Sequence, residues 1–139
     1  VTTPNAASGS GTMTVTFKKS LSSGQVTILD LVALGGNNTT APIVTANLGA
    51  ASGSSSTATA NLPSAPSSLN AEIAFLSAPR DLGTTAPTAT PAMTSVFYSH
   101  QSPGSAAVYS TVPAHQTESV NVGSGTKNWG TLAFEIKNG

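Results

Sequence analysis

The chain contains no cysteine. Disulfides, thiolate metal sites and cysteine nucleophiles are therefore excluded, and the fold must hold by packing alone. Charge is almost as scarce. Asp, Glu, Lys and Arg together supply 7% of the residues, against roughly a quarter in ordinary soluble domains. The five acids are Asp30, Glu72, Asp81, Glu118 and Glu135, and the five bases are Lys18, Lys19, Arg80, Lys127 and Lys137. They cancel, and no run of either sign forms. A nucleic-acid ligand requires a basic stripe that displaces counterions from phosphates, so no nucleic-acid partner is expected. Anionic membrane surfaces are set aside for the same reason. No apolar run is long enough for a signal peptide or a membrane span, so no membrane insertion is expected.

What is present is a chain of 139 residues, 38% of them hydrophobic, rich in Ser, Thr, Asn, Gly and Ala. That length suits one domain and can bury a core without staples. A surface kept wet by hydroxyls and amides fits an exported protein. It equally fits one whose surface is covered by neighbouring subunits, because interface cores are depleted in Lys, Glu and Asp. Compositional drift toward small residues is the plain alternative. A chain opening at Val1 reads as processed after export. Two overlapping N-glycosylation sequons, at Asn37 and Asn38, point the same way.

The hydrophobic pattern is that of strands. Residues 1–11, VTTPNAASGSG, read as an extended arm or linker. Thr12 to Lys19 alternates strictly, with Met13, Val15 and Phe17 on one face and threonines on the other, which is a half-buried strand. Gln25 to Leu34 is nearly continuous in apolar residues and reads as a central strand ended by Gly35-Gly36. Ile43 to Leu48 is a third strand, and residues 49–56, GAASGSSS, read as a flexible turn. Thr57 to Leu62 and Asn70 to Ser77 follow. Residues 78–92 read as a long loop with three prolines, of a length that is often functional. Met93 to His100, Ala106 to Val112 and Glu118 to Val122 are further strands. Trp129 to Lys137 closes the chain, with Leu132, Phe134 and Ile136 expected inward and Thr131, Ala133 and Glu135 outward. About nine short strands with regular turn signals and no helical stripe predict an all-β, antiparallel β-sandwich of jelly-roll or immunoglobulin-like type, spanning 12–139 as one domain.

Groups able to do chemistry are few. The histidines, His100 and His115, lack zinc-site spacing. No Gly-x-Ser-x-Gly elbow and no Ser-x-x-Lys occurs. Each acid stands alone in a neutral stretch and reads as a solvated surface charge or a local ion pair. No catalytic residue, cofactor site or metal site is assigned, and the chain reads as a non-enzyme. Tyr98, His100, Tyr109 and Trp129 are the candidate sugar contacts, since pyranose faces stack on exposed rings. The competing reading places these rings at the core edge, each with its polar tip on a partner.

The arm carries the sharpest expectation. An extended terminal segment completes a neighbour's sheet by strand addition and hides an edge that would otherwise aggregate. In composition the chain is similar to the strand-exchanged filament subunits of bacteria and archaea, which are exported, charge-poor β-sandwiches. The expected partners are further copies of the chain or other subunits of an assembly, with Val1, Thr2, Thr3, Pro4, Asn5, Ala6 and Ala7 as the assembly arm. The expected place is the cell surface, the extracellular space or a virion surface. A carbohydrate-binding or adhesive module is the alternative.

Overall fold

The structure, a computed structural model, describes residues 36, 38, 40–83, 85–99, 101–111, 115–122 and 127–139. The arm at 1–11, the expected strands at 12–19 and 25–34, and residues Asn37 and His100 lie outside the described residues. Within them the protein is all-β, 60% strand and without helix, and its strands form two antiparallel sheets. No helix among the described residues is long and apolar enough to cross a membrane.

Eight strands follow in order: β1 (Ile43–Ser55), β2 (Thr57–Asn61), β3 (Ala71–Ala78), β4 (Ala89–Thr90), β5 (Thr94–Ser99), β6 (Gly104–Ser110), β7 (Thr117–Asn121) and β8 (Lys127–Ile136). The larger sheet has the order β1-β8-β3-β6-β5 and the smaller the order β2-β7-β4. The chain changes sheet at Ser56, between β1 and β2. At that corner Trp129 Nε1 donates to Ser55 Oγ at 2.9 Å.

β1 is the first departure from expectation. Residues 49–55 are strand, paired in register with Lys127 to Ala133 of β8, and not a flexible turn. Their small side chains have a packing reason. A Cβ on Gly49 would stand 2.2 Å from the Asn61 carbonyl oxygen, and one on Gly53 would stand 2.7 Å from the Trp129 ring. Glycine here admits close backbone and ring approach, so a low-complexity stretch folds as the longest strand. Residues 44–47 bulge between the pairs Ile43–Ile136 and Leu48–Phe134. In the segment 78–92, Ala89 and Thr90 pair with β7, so the expected loop holds a short strand. Gly104 and Ser105 open β6, which starts two residues before the strand expected from Ala106.

Both sheets contribute to one hydrophobic cluster. Ala58, Ala60 and Leu62 come from β2 and its end, and Val120 and Val122 from β7 and its end. Ala74, Leu76, Ala78, Ala106, Val108 and Ala133 come from the larger sheet, and Leu82 from a loop. The cluster is rich in alanine. Here the expected facing of β8 is reversed. Ala133 lies in this cluster at 1% exposure, while Leu132 is 37% exposed. Residues directly paired across strands share a face. The registers therefore put Leu132, Phe134 and Ile136 with Ile73 and Phe75 on the side away from the smaller sheet.

Candidate functional site

The inner side of the larger sheet carries a polar row at one end. In the register, Glu72 of β3 stands between Ser110 of β6 and Glu135 of β8. Asn47, from the β1 bulge, extends the row to the sheet edge. All four are buried, Glu72 at 1% and Glu135 at 4% exposure. Two carboxylates directly opposite on neighbouring strands have Cβ atoms about 5 Å apart, where like charges oppose each other. Each must therefore be compensated from elsewhere.

The compensation comes from loops. Glu135 Oε2 accepts from Asn47 Nδ2 at 2.7 Å, and Oε1 accepts from the Ser67 amide at 2.9 Å and from Asn70 Nδ2 at 2.5 Å. Asn47 Oδ1 in turn accepts from the Ser64 amide at 3.1 Å. Burial raises the Glu135 pKa, but the Asn47, Asn70 and Ser67 donors and the charge of Lys137 more than offset this and hold it below 4.5. Glu72 Oε2 accepts from the His115 amide at 2.9 Å, and His115 Nδ1 lies 3.2 Å from Oε1. One carboxylate thus ties down residues 64–70 and the other ties down His115. Both Glu135 oxygens and Glu72 Oε2 accept from these donors, and the arrangement works as a pair of anchors that seat loops over the end of the sheet.

At the other end of the sheet lies an open groove of about 800 Å³. Trp129, Phe75, Leu132, Ser77, Ser102 and Thr131 are among its lining residues, and none of the described lining residues is ionisable. Neither Glu72 nor Glu135 lines it.

Of the sequence-predicted sugar contacts, His100 lies outside the described residues, and Tyr98 and Tyr109 are not brought together. Tyr98 lies on β5 opposite Ala106, and Tyr109 lies on β6 opposite Ile73, which puts them on opposite faces of the sheet. Each is 36% exposed. Trp129 is half-buried, packs against the core cluster and, alone among the three described rings, lines the groove. Asn38 Oδ1 accepts from the amides of Thr40 and Ala41 at 3.0 Å. Among the described residues, no three or more His, Asp or Glu side chains are grouped to hold a metal ion.

The sequence reading missed the buried carboxylates. Each acid was expected as a solvated surface charge or a local ion pair, and Glu135 as outward-facing; Glu72 and Glu135 are both buried, with Glu72 3.2 Å from His115 Nδ1. The signal that finds them is parity: Glu72 shares a face with Ala74, Leu76 and Ala78, and Glu135 shares one with Ala133. Once the small-residue face is recognised as the buried one, both acids must be inside. Compared with protein-family models, curated proteins and solved structures, the chain matches none.

Proposed function

We infer that the chain is a structural subunit that self-assembles outside a cytoplasm, as a filament protomer or a virion surface protein. Its two sheets serve as the layers of a β-sandwich, and residues 1–11 add to a neighbour's sheet. The observation that carries this reading is β1. It is thirteen residues long, contains no charged residue, and pairs on one side with β8 and with no other described strand. Proteins that stay apart blunt such edges with charge, proline or short length. An edge without these devices suits strand addition, in which backbone hydrogen bonds supply the affinity. Deleting residues 1–11 tests it. The shortened chain should stay folded by circular dichroism but lose the oligomers or fibres that the full chain forms in size-exclusion chromatography and electron microscopy. A full chain that is monomeric at all concentrations would remove the reading.

A second reading, a glycan-binding or adhesive module, draws on the groove. An uncharged lining with an indole and several hydroxyls suits a neutral sugar. Trp129 fluorescence would report its occupancy. No change with any neutral oligosaccharide in a panel ends that reading.

A further inference from the structure

The side of the larger sheet that faces away from the smaller one holds buried apolar side chains of its own. The registers place Ile73, Ala107 and Ile136 there, at 1%, 1% and 4% exposure, yet none belongs to the cluster between the sheets. Phe75 and Phe134 stack beside them with ring centroids 5.9 Å apart. Around this centre the exposure rises, to 44% at Leu48, 37% at Leu132 and 36% at Tyr109. No charged residue of β1, β3, β6 or β8 has its register position on this side within these pairings. An apolar surface of this kind, buried in the middle and open at the rim, is a face with a cover.

The geometry points to residues 12–34 of the same chain as that cover, which makes the larger sheet a middle layer. Two observations select this occupant. The first is where the chain arrives. The Gly139 amide donates to the Gly36 carbonyl at 2.9 Å, and the Asn38 amide donates to the Lys137 carbonyl at 2.9 Å. Residue 36 therefore stands beside Gly139, just past the end of β8, with Asn38 beside Lys137, and the φ of 74° at Gly36 turns the backbone there. The second is the length and pattern of what precedes it. Thr12–Lys19 alternates, with Met13, Val15 and Phe17 on one face, and Gln25–Leu34 is nearly continuous in apolar residues, interrupted by Asp30. Extended, they span about 26 and 33 Å, enough to run the length of the ten-residue β8. The inference does not rest on assembly, and it holds equally for a monomer.

A disulfide scan in the full chain tests it, because no native thiol competes. Leu132→Cys is combined in turn with Val15→Cys, Phe17→Cys, Ile28→Cys and Val32→Cys. Thr59→Cys, on the smaller sheet, replaces Leu132→Cys as the control. Peptide mapping after mild oxidation should find a Leu132 pair closing within one chain, at least about tenfold faster than its Thr59 counterpart, as two tethered groups in contact do. Closure only between two chains, equal closure with Thr59, or no closure in the whole scan overturns the inference. The first of these leaves the assembly reading standing. A second measurement needs no segment substitution. Ala107→Cys should react with a thiol reagent far more slowly than Tyr109→Cys, and equal rates would show a bare face and sink the proposal.

Discussion

Glu135 shows how one residue sets a local structure. Its carboxylate receives three hydrogen bonds, from Asn47, Ser67 and Asn70, at a site 4% exposed. In Glu135→Gln an amide N–H₂ replaces one acceptor oxygen and faces donors. The expected cost is about 1–3 kcal/mol, the penalty for leaving buried donors unmatched. The pH dependence has a defined sign. The folded pKa lies below 4.5, the ordinary value, so the ionised form is preferred in the folded state. Its stabilisation is fully present above 4.5 and is lost as pH falls below 4.5 through the folded value. Urea midpoints measured across that acid range should fall less steeply in Glu135→Gln than in the native chain. Equal slopes would show that Glu135 is not the titrating anchor. Gly49 gives a second prediction at this scale. Gly49→Ala puts a methyl 2.2 Å from a backbone oxygen that cannot swing away. The expected loss is about 2–3 kcal/mol, at the upper end of the usual range for overpacking, read from the shift in the denaturant midpoint.

Among the elements, β8 separates what alternation reveals from what it hides. Its existence and period follow directly from LAFEI, where large and small residues alternate. Its facing does not, because alternation states that two faces differ and leaves open which one meets the second sheet. Size suggests Leu132 and Phe134, whereas the structure places Ala133 in the shared core and leaves Leu132 at 37% exposure. Alanine wins because six alanines from both sheets line that core and let the layers approach closely. The consequence is measurable. Ala133→Leu, at 1% exposure, should cost about 2–3 kcal/mol by overpacking. Leu132→Ala should cost about 1 kcal/mol, since part of that side chain already meets water. The opposite ranking in thermal melts would return β8 to the facing that size suggests. The same ambiguity hid the anchors, since Glu72 and Glu135 follow the small-residue face inward. β1 escaped for another reason. Gly49 and Gly53 resemble turn residues, and the Asn61 backbone and Trp129 ring that require them are distant in sequence. By contrast, β2, β3, β5 and β7 lie within a residue or two of where period-two patterning puts them.

The assembly reading has a consequence for the whole molecule that separates it from ordinary charged association. With formal net charge +0 and 7% charged residues, attraction between copies has almost no ionic component to screen. Association through an uncharged edge is built from backbone hydrogen bonds and apolar contact, which salt screening leaves intact. Raising sodium chloride from about 0.05 to 0.5 M, which shortens the Debye length about threefold, should change the critical concentration for assembly by less than about twofold. Sulfate should lower it, because it is excluded from protein surface and favours burial. Placing charge on the edge should act in the other direction. Ser52→Lys and Ser54→Lys sit at exposed positions of β1, so they should leave the fold intact by circular dichroism. The charge they bring would be desolvated wherever a second chain pairs with that edge. Light scattering should then show assembly lost or shifted to much higher concentration. Assembly unchanged in both variants would show that β1 is not the receiving edge and would move attention to β5, the opposite edge of the same sheet. Chloride that dissolves the assemblies in proportion to its concentration would instead point to ion pairs at the contact, which this composition gives little reason to expect.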